Sequence, residues 1–285
     1  MTAPNDAIFI ETTTIVDATL KPEYQASIQS ILASYSTKIS SNYVRMELKR
    51  GVLQNLVYLH NKIVNCNKWS EVQDAVSRLS ASEQRHKLST VLEVLARFWA
   101  TIESKTTKEM EARQGTISIN DYFRKQSVNF LRLSIRRLWK KLDSVADIQL
   151  DPMSCFVDIQ PVKMDGELLD NQPRTCDKSG VECRIKNFSI SEQGPFEAIL
   201  AELQRLGQNA DSETKKRVKS LRKILRMLPA ATRKFSNHRQ NQAECWNCGD
   251  AILAVTAPAG AKILHRNPRH FDPICAALKK KTVTY

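Results

Sequence analysis

Apolar residues in this chain recur with two different periods. Ala7-Ile8-Phe9-Ile10 is a short unbroken apolar run ending at Glu11 and Thr12-Thr13-Thr14, and reads as a buried strand. A helix is expected near Pro22 to Tyr35. A clearer one starts from a Ser40 or Ser41 cap, with Val44, Leu48, Val52, Leu56, Leu59 and Ile63 at steps of three and four on one apolar face. Further helices are expected where Leu88, Val91, Leu92, Leu95, Phe98, Trp99 and Ile102 follow a Ser82 cap, and from Phe123 to Leu142. Between about Leu150 and Gly194 the helical period fails, and short β-like runs such as Cys155-Phe156-Val157 and Cys183-Arg184-Ile185 lie among Pro, Asp, Gly and Asn. Helices resume over Phe196 to Leu206 and Ser212 to Leu228, the latter on a thin stripe of Val218, Leu221, Leu225 and Leu228.

From about Ala243 the pattern changes again. Asp250 opens a short apolar helix, Ala251-Ile252-Leu253-Ala254-Val255, and a turn at Pro258 to Gly260 follows. Ala261 to Leu264 then reads as a buried strand ending in the polar loop His265-Arg266-Asn267. A last helix is expected near Pro273 to Leu278, ahead of a basic tail, Lys279-Lys280-Lys281. Strands interleaved with helices argue for an α/β fold, whose sites form beyond the carboxyl ends of the strands.

Composition narrows the function. The 285 residues suffice for one large domain or two small ones, and 42% hydrophobic residues suffice for a core. A net charge of +13 implies an anionic partner, nucleic acid before an anionic membrane face. No apolar segment reaches the roughly 18 residues needed to span a bilayer. The start carries Asp6 and Glu11 and lacks the basic region of a signal peptide, and seven cysteines are an odd number for an exported disulfide framework. These features point to a cytoplasmic protein without a membrane partner. No Gly-rich phosphate loop is present, and the histidines at 60, 86, 238, 265 and 270 show no metal spacing, which speaks against ATP-driven chemistry and a His-rich metal centre.

Distant segments therefore each deliver a carboxylate at an element terminus. Four places, Ile8-Phe9-Ile10-Glu11-Thr12-Thr13, Val44-Arg45-Met46-Glu47-Leu48, Asp250-Ala251-Ile252-Leu253-Ala254 and His265-Arg266-Asn267-Pro268-Arg269-His270-Phe271, together resemble the PIN-domain nuclease family. Glu11 stands where that family more often has Asp, and His270 where a fourth acid often sits, with Asp272 nearby. The resemblance covers about a third of the chain and implies an α/β fold. It implies a three-layer PIN-like core with a short parallel sheet in residues 1–65 and 243–285. A large, mostly helical, basic insertion would occupy 66–242, part of it available to complete the core.

The resemblance also implies an endoribonuclease, of the toxin type among others, hydrolysing phosphodiester bonds by in-line attack of metal-activated water. Mg²⁺ or Mn²⁺ is the implied cofactor, since hard cations prefer oxygen ligands. Glu11, Glu47, Asp250 and Asn267 would be the catalytic set, and Glu11, Glu47, Asp250 and Asp272 the metal ligands. Thr13 and Arg266 would face substrate. RNA is the implied substrate, single-stranded DNA is not forbidden, and toxin-type relatives pair with an inhibitory protein. Each acid taken singly has an ordinary account: Glu11 a solvated strand end, Glu47 a partner of Arg50 at i+3, Asp250 a helix N-cap.

Two other constellations stand beside the acids. The basic runs holding Arg136 and Arg137, and Lys215, Lys216 and Arg222, suit either phosphate contact or a solvated helix face, with Trp139 and Phe235 as aromatic surface for bases. Cys176, Cys183, Cys245 and Cys248 offer a structural-zinc set, although buried unpaired thiols are the commoner outcome. The rival functions are a PIN-like nucleic-acid-binding protein that has lost catalysis, and a helical protein-interaction module.

Overall fold

Five parallel strands form the centre of the molecule in a computed structural model that describes residues 6–81, 85–112, 118–151, 163–164, 167–168, 184–206, 212–226 and 247–285. The chain enters through β1 (Ala7–Ile10), α1 (Thr12–Leu20), α2 (Pro22–Ala33) and β2 (Thr37–Ser41). A long helical run follows: α3 (Asn42–Leu48), a π-helical turn (Lys49–Leu53) and α4 (Gln54–Val64). Then come α5 (Trp69–Ala81), α6 (Arg85–Ala112), α7 (Ile119–Ser144), β3 (Ile148–Leu150) and a small hairpin of β4 (Lys163–Met164) and β5 (Glu167–Leu168). The remainder is α8 (Arg184–Ser191), α9 (Gln193–Arg205), α10 (Ser212–Arg226), α11 (Gly249–Thr256), β6 (Lys262–His265), α12 (Pro268–Ala277) and β7 (Thr282–Thr284).

The sheet order is β3-β2-β1-β6-β7, with every pairing parallel. β1 lies in the middle, Phe9 opposite Ile39 on one side and Ile263 on the other. Because successive side chains of a strand point to opposite faces, a central strand covered on both sides must be apolar throughout. Ile8 and Leu264 pack with Ile28 of α2, whereas Phe9, Ile39 and Ile263 join a larger cluster. That cluster takes in Val91 and Leu95 of α6, Leu131 and Leu138 of α7, and Phe196 and Leu203 of α9. Much of the stretch expected as an insertion thus shares the core of the two chain ends and supplies the edge strand β3.

The α/β expectation holds, and most helices lie where the period placed them. Ser41 caps α3 by accepting from the Val44 N–H at 3.3 Å, and Pro22 occupies the first turn of α2, where its missing N–H costs no helical bond. The differences have local causes. The Cys183–Ile185 run was expected to be β-like, yet helix α8 begins at Arg184, with Ile185 and Phe188 turned into the core. The expected basic tail is not a free tail. Lys280 folds back to donate to the carbonyls of Ala254 and Ala257 at the end of α11, and β7 then adds the fifth strand. The Ser82 cap and the Cys155–Val157 run lie outside the described residues. Among the described residues no helix is long and apolar enough to cross a membrane.

A buried ionic chain ties the first helices to the rest. Asp17 is 1% exposed; its Oδ2 accepts from the Tyr285 hydroxyl at 3.0 Å and lies 3.0 Å from Arg266 Nη1. Lys21, also buried, lies 3.4 Å from Asp17 Oδ1 and donates to Glu93 of α6 at 3.0 Å. Glu93 pairs with Arg97, which also reaches Glu23.

Candidate active site

The order β3-β2-β1-β6-β7 reverses at β1. The chain proceeds from β1 to β2 and β3 on one side, then returns to place β6 on the other. Open parallel sheets bind ligands in the crevice beyond the carboxyl ends of the strands at such a reversal. Glu11 follows β1 directly and is the N-cap of α1; Glu47 sits in α3, which starts where β2 ends; Asp250 lies in the first turn of α11. Three elements far apart in sequence thus bring their acids to one edge.

Glu11 is buried. Its Oε2 accepts from the Thr13 N–H at 2.6 Å, and its Oε1 from the Thr14 N–H at 2.9 Å and the Thr14 hydroxyl at 3.0 Å. Burial pushes its pKa up to about 8, aided by the charge of Asp250 and opposed by those hydrogen bonds. Glu47 is partly buried and accepts from the Thr12 hydroxyl at 2.6 Å. Burial lifts it to about 7, with Asp250 adding to the rise and the Thr12 hydrogen bond and Arg50 opposing it. The π-helical turn after Glu47 breaks the regular helical phase between α3 and α4, a device that recurs at functional sites.

Gly249 explains how α11 comes so close. A Cβ there would stand 2.5 Å from Glu47 Oε1 and 3.5 Å from the Tyr43 hydroxyl, so only a residue without a side chain leaves Glu47 in place. Asp250 next to it behaves differently from the two glutamates. Burial acts to raise its pKa, but the hydrogen bond to His270 and the charge of Arg217, with smaller contributions from the two nearby imidazoles, hold it below the usual value. Arg217 Nη2 lies 2.8 Å from Asp250 Oδ2, and His270 Nδ1 lies 3.5 Å from the same oxygen. The Asn267 side-chain amide nitrogen is 2.8 Å from the same His270 Nδ1; donation from Asn267 and donation to Asp250 at that nitrogen are alternatives set by the tautomer. His265 is fully buried and stacked on Phe271 at 4.9 Å; burial lowers its pKa despite the charges of Asp272 and Asp250.

The other expected site residues lie as follows. Thr13 is exposed at the start of α1. Arg266 turns to Asp17 and lies over the Tyr24 ring at 5.1 Å. Asp272 is exposed, 3.5 Å from His265 Nε2 and 3.4 Å from the Thr282 hydroxyl. Lys215, Lys216 and Arg222 are exposed on α10, as are Arg136 and Arg137 on α7. Trp139 carries the Lys49 ammonium over its ring at 4.9 Å. Cys248 is a buried cysteine of the core, while Cys176, Cys183, Cys245 and Phe235 lie outside the described residues.

Sequence reasoning missed Thr12, Gly249 and Arg217. For Arg217 a signal existed: it stands four residues before Leu221, so it extends the apolar stripe of α10 and belongs to the buried face of a basic helix.

The donor chemistry suits a hard divalent cation. Glu11, Glu47 and Asp250 are all oxygen donors, and the glutamates hold protons that a cation would displace. The distances do not yet amount to a coordination sphere: among the described residues no three His, Cys, Asp or Glu side chains form a metal-holding group. Comparison with protein-family models, curated proteins and solved structures returns no match.

Proposed function

We propose that this chain is a cytoplasmic, PIN-like, metal-dependent hydrolase of phosphodiester bonds that acts on RNA. The observation that supports the reading is the placement of Glu11, Glu47 and Asp250 at element ends beside the reversal point of a parallel sheet, close enough for the Asp250 charge to raise both glutamates. Glu11, Glu47 and Asp250 would hold Mg²⁺ or Mn²⁺. When bound, the cation would polarise the scissile phosphate and lower the pKa of the attacking water.

The protein's own groups do the positioning. Thr12 fixes Glu47, Thr13 and Thr14 fix Glu11, and Arg217 and His270 flank Asp250. The exposed Lys215, Lys216, Lys219 and Arg222 give α10 a positive outer face suited to a phosphate backbone, while its inward Arg217 meets Asp250.

The test is cleavage of a labelled single-stranded RNA by the full chain with Mg²⁺ or Mn²⁺. Outer-sphere partners of metal sites are worth about 10–100-fold, so Asp250→Asn and Glu47→Gln should each lower the rate by about a hundredfold or more. EDTA should abolish it. Cleavage that survives EDTA or Asp250→Asn refutes the assignment of the site. Salt-sensitive RNA binding without cleavage would instead favour the binding protein that has lost catalysis.

Gly249→Ala makes a sharper demand. The clash falls on the flexible end of Glu47, so the fold should survive while the carboxylate moves. A displacement of about 1 Å can lower rate about a hundredfold. The expected result is a nearly unchanged thermal midpoint with cleavage largely lost; full activity would show that the contact between α11 and Glu47 does not matter.

A further inference from the structure

We infer that Arg217 is a built-in counter-ion that a divalent cation must displace before Asp250 can become its ligand. This rests on the metal-dependent reading above.

Arg217 differs from the other basic residues of its helix. Lys215, Lys216, Lys219 and Arg222 are exposed, whereas the Arg217 side chain is 7% exposed and meets Asp250 at 2.8 Å. It shares the inward face of α10 with Ser220 and Leu221. A buried guanidinium needs an anionic or strongly accepting partner, because leaving it unpaired carries a large desolvation penalty. Seating α10 and neutralising Asp250 are therefore the same contact.

The helix is held there from other directions too. Asn247, just ahead of α11, donates to the Ser220 hydroxyl at 3.1 Å, and α10 packs on α9, which packs on α12. Oδ2 of Asp250 lies 2.8 Å from Arg217 Nη2 and 3.5 Å from His270 Nδ1, so the guanidinium occupies the oxygen that a cation would need. A guanidinium and a divalent cation seek the same carboxylate and repel each other. Binding of either must weaken binding of the other by an equal factor. The site therefore carries its own competitor, mounted on a helix whose outer face is a positive stripe.

The experiment is calorimetric titration of Mn²⁺ into the full chain without substrate, for the native protein, Arg217→Met, Arg217→Gln and Asp250→Asn. Circular dichroism establishes that each variant is folded. Removing Arg217 should tighten Mn²⁺ binding at least about tenfold, and Asp250→Asn should weaken it. Equal or weaker binding by the folded Arg217 variants overturns the inference. If the native chain still binds Mn²⁺ through Asp250, the metal-dependent reading survives that result. No Mn²⁺ binding by any variant removes both. Should neither Arg217 variant fold, the native chain decides the matter. Its Arg217 guanidinium resonance should change with saturating Mg²⁺, and an unchanged resonance overturns the inference.

Discussion

Asp17→Ala should destabilise the protein by about 3–5 kcal/mol, the usual loss when one partner of a buried ion pair is removed. Asp17 is almost fully buried and answers Lys21, Arg266 and the Tyr285 hydroxyl together. Its removal leaves the buried Lys21 ammonium with Glu93, which is 42% exposed, and leaves Arg266 with the Tyr24 ring. At about 2–4 °C per kcal/mol for a chain near this size, the drop is easily read in thermal unfolding. Replacing both charges, as in Asp17→Leu with Lys21→Met, should destabilise less than Asp17→Ala alone, because no ammonium is then stranded. A single-variant loss below about 1 kcal/mol would mean that the cluster relaxes into water and contributes little.

The second large effect concerns pH. Glu11 holds its proton up to about pH 8 in the folded chain, against an ordinary value of 4.5. Between those values the unfolded chain has lost a proton that the folded chain keeps, so stability falls as pH rises. The gap corresponds to about 5 kcal/mol, present below the unfolded value and lost by the time pH passes the folded one. Glu47 acts in the same direction up to about pH 7, with a smaller share because it is only partly buried. Asp250 shifts the other way, but its transition lies below the ordinary 3.8, outside this window. His265, lowered by burial, opposes this loss below its ordinary 6.5, so unfolding followed from pH 6.5 to pH 8 should show a loss of stability that Glu11→Gln largely removes. Added Mg²⁺ should restore more stability at pH 8 than at pH 5, since binding displaces protons. A native profile that is flat, or that rises with pH over this range, would show that the hydrogen bonds from Thr13 and Thr14 outweigh the burial of Glu11.

How much of this was legible beforehand differs by element. The long apolar face from Val44 to Ile63 announces its helix, and Asp250 followed by small apolar residues announces α11. The π-helical turn inside the first of these does not show, because one shifted turn leaves apolar residues at nearly the same spacing. β2 (Thr37–Ser41) and β7 (Thr282–Thr284) were missed because both are short and rich in Thr, Ser and Lys, which by themselves resemble loop. α1 was missed for a related reason: Thr12-Thr13-Thr14-Ile15-Val16 is a β-branched run that favours strand until Glu11 caps it.

The acids themselves were readable from their positions at element ends. Their neighbours were not, since Arg217 sits in a run of like charges and the partner of Arg266 is near the other end of the chain. Local pattern conveys which residues end an element; it does not convey which distant charge folds onto them.

The pairing of β1 with β6 has a consequence in time. The Thr14 hydroxyl donates to the Leu264 carbonyl across 250 residues of sequence, so the two central strands of the sheet leave the ribosome far apart. At about 5–20 residues per second of synthesis, β1 waits roughly 10–50 s for that neighbour. During the wait Glu11 and Glu47 exist without Asp250. Glu11 and Glu47 are therefore joined by Asp250 only after about 200 further residues have been made, so the neighbourhood that shifts both glutamates is the last part of this sheet edge to form.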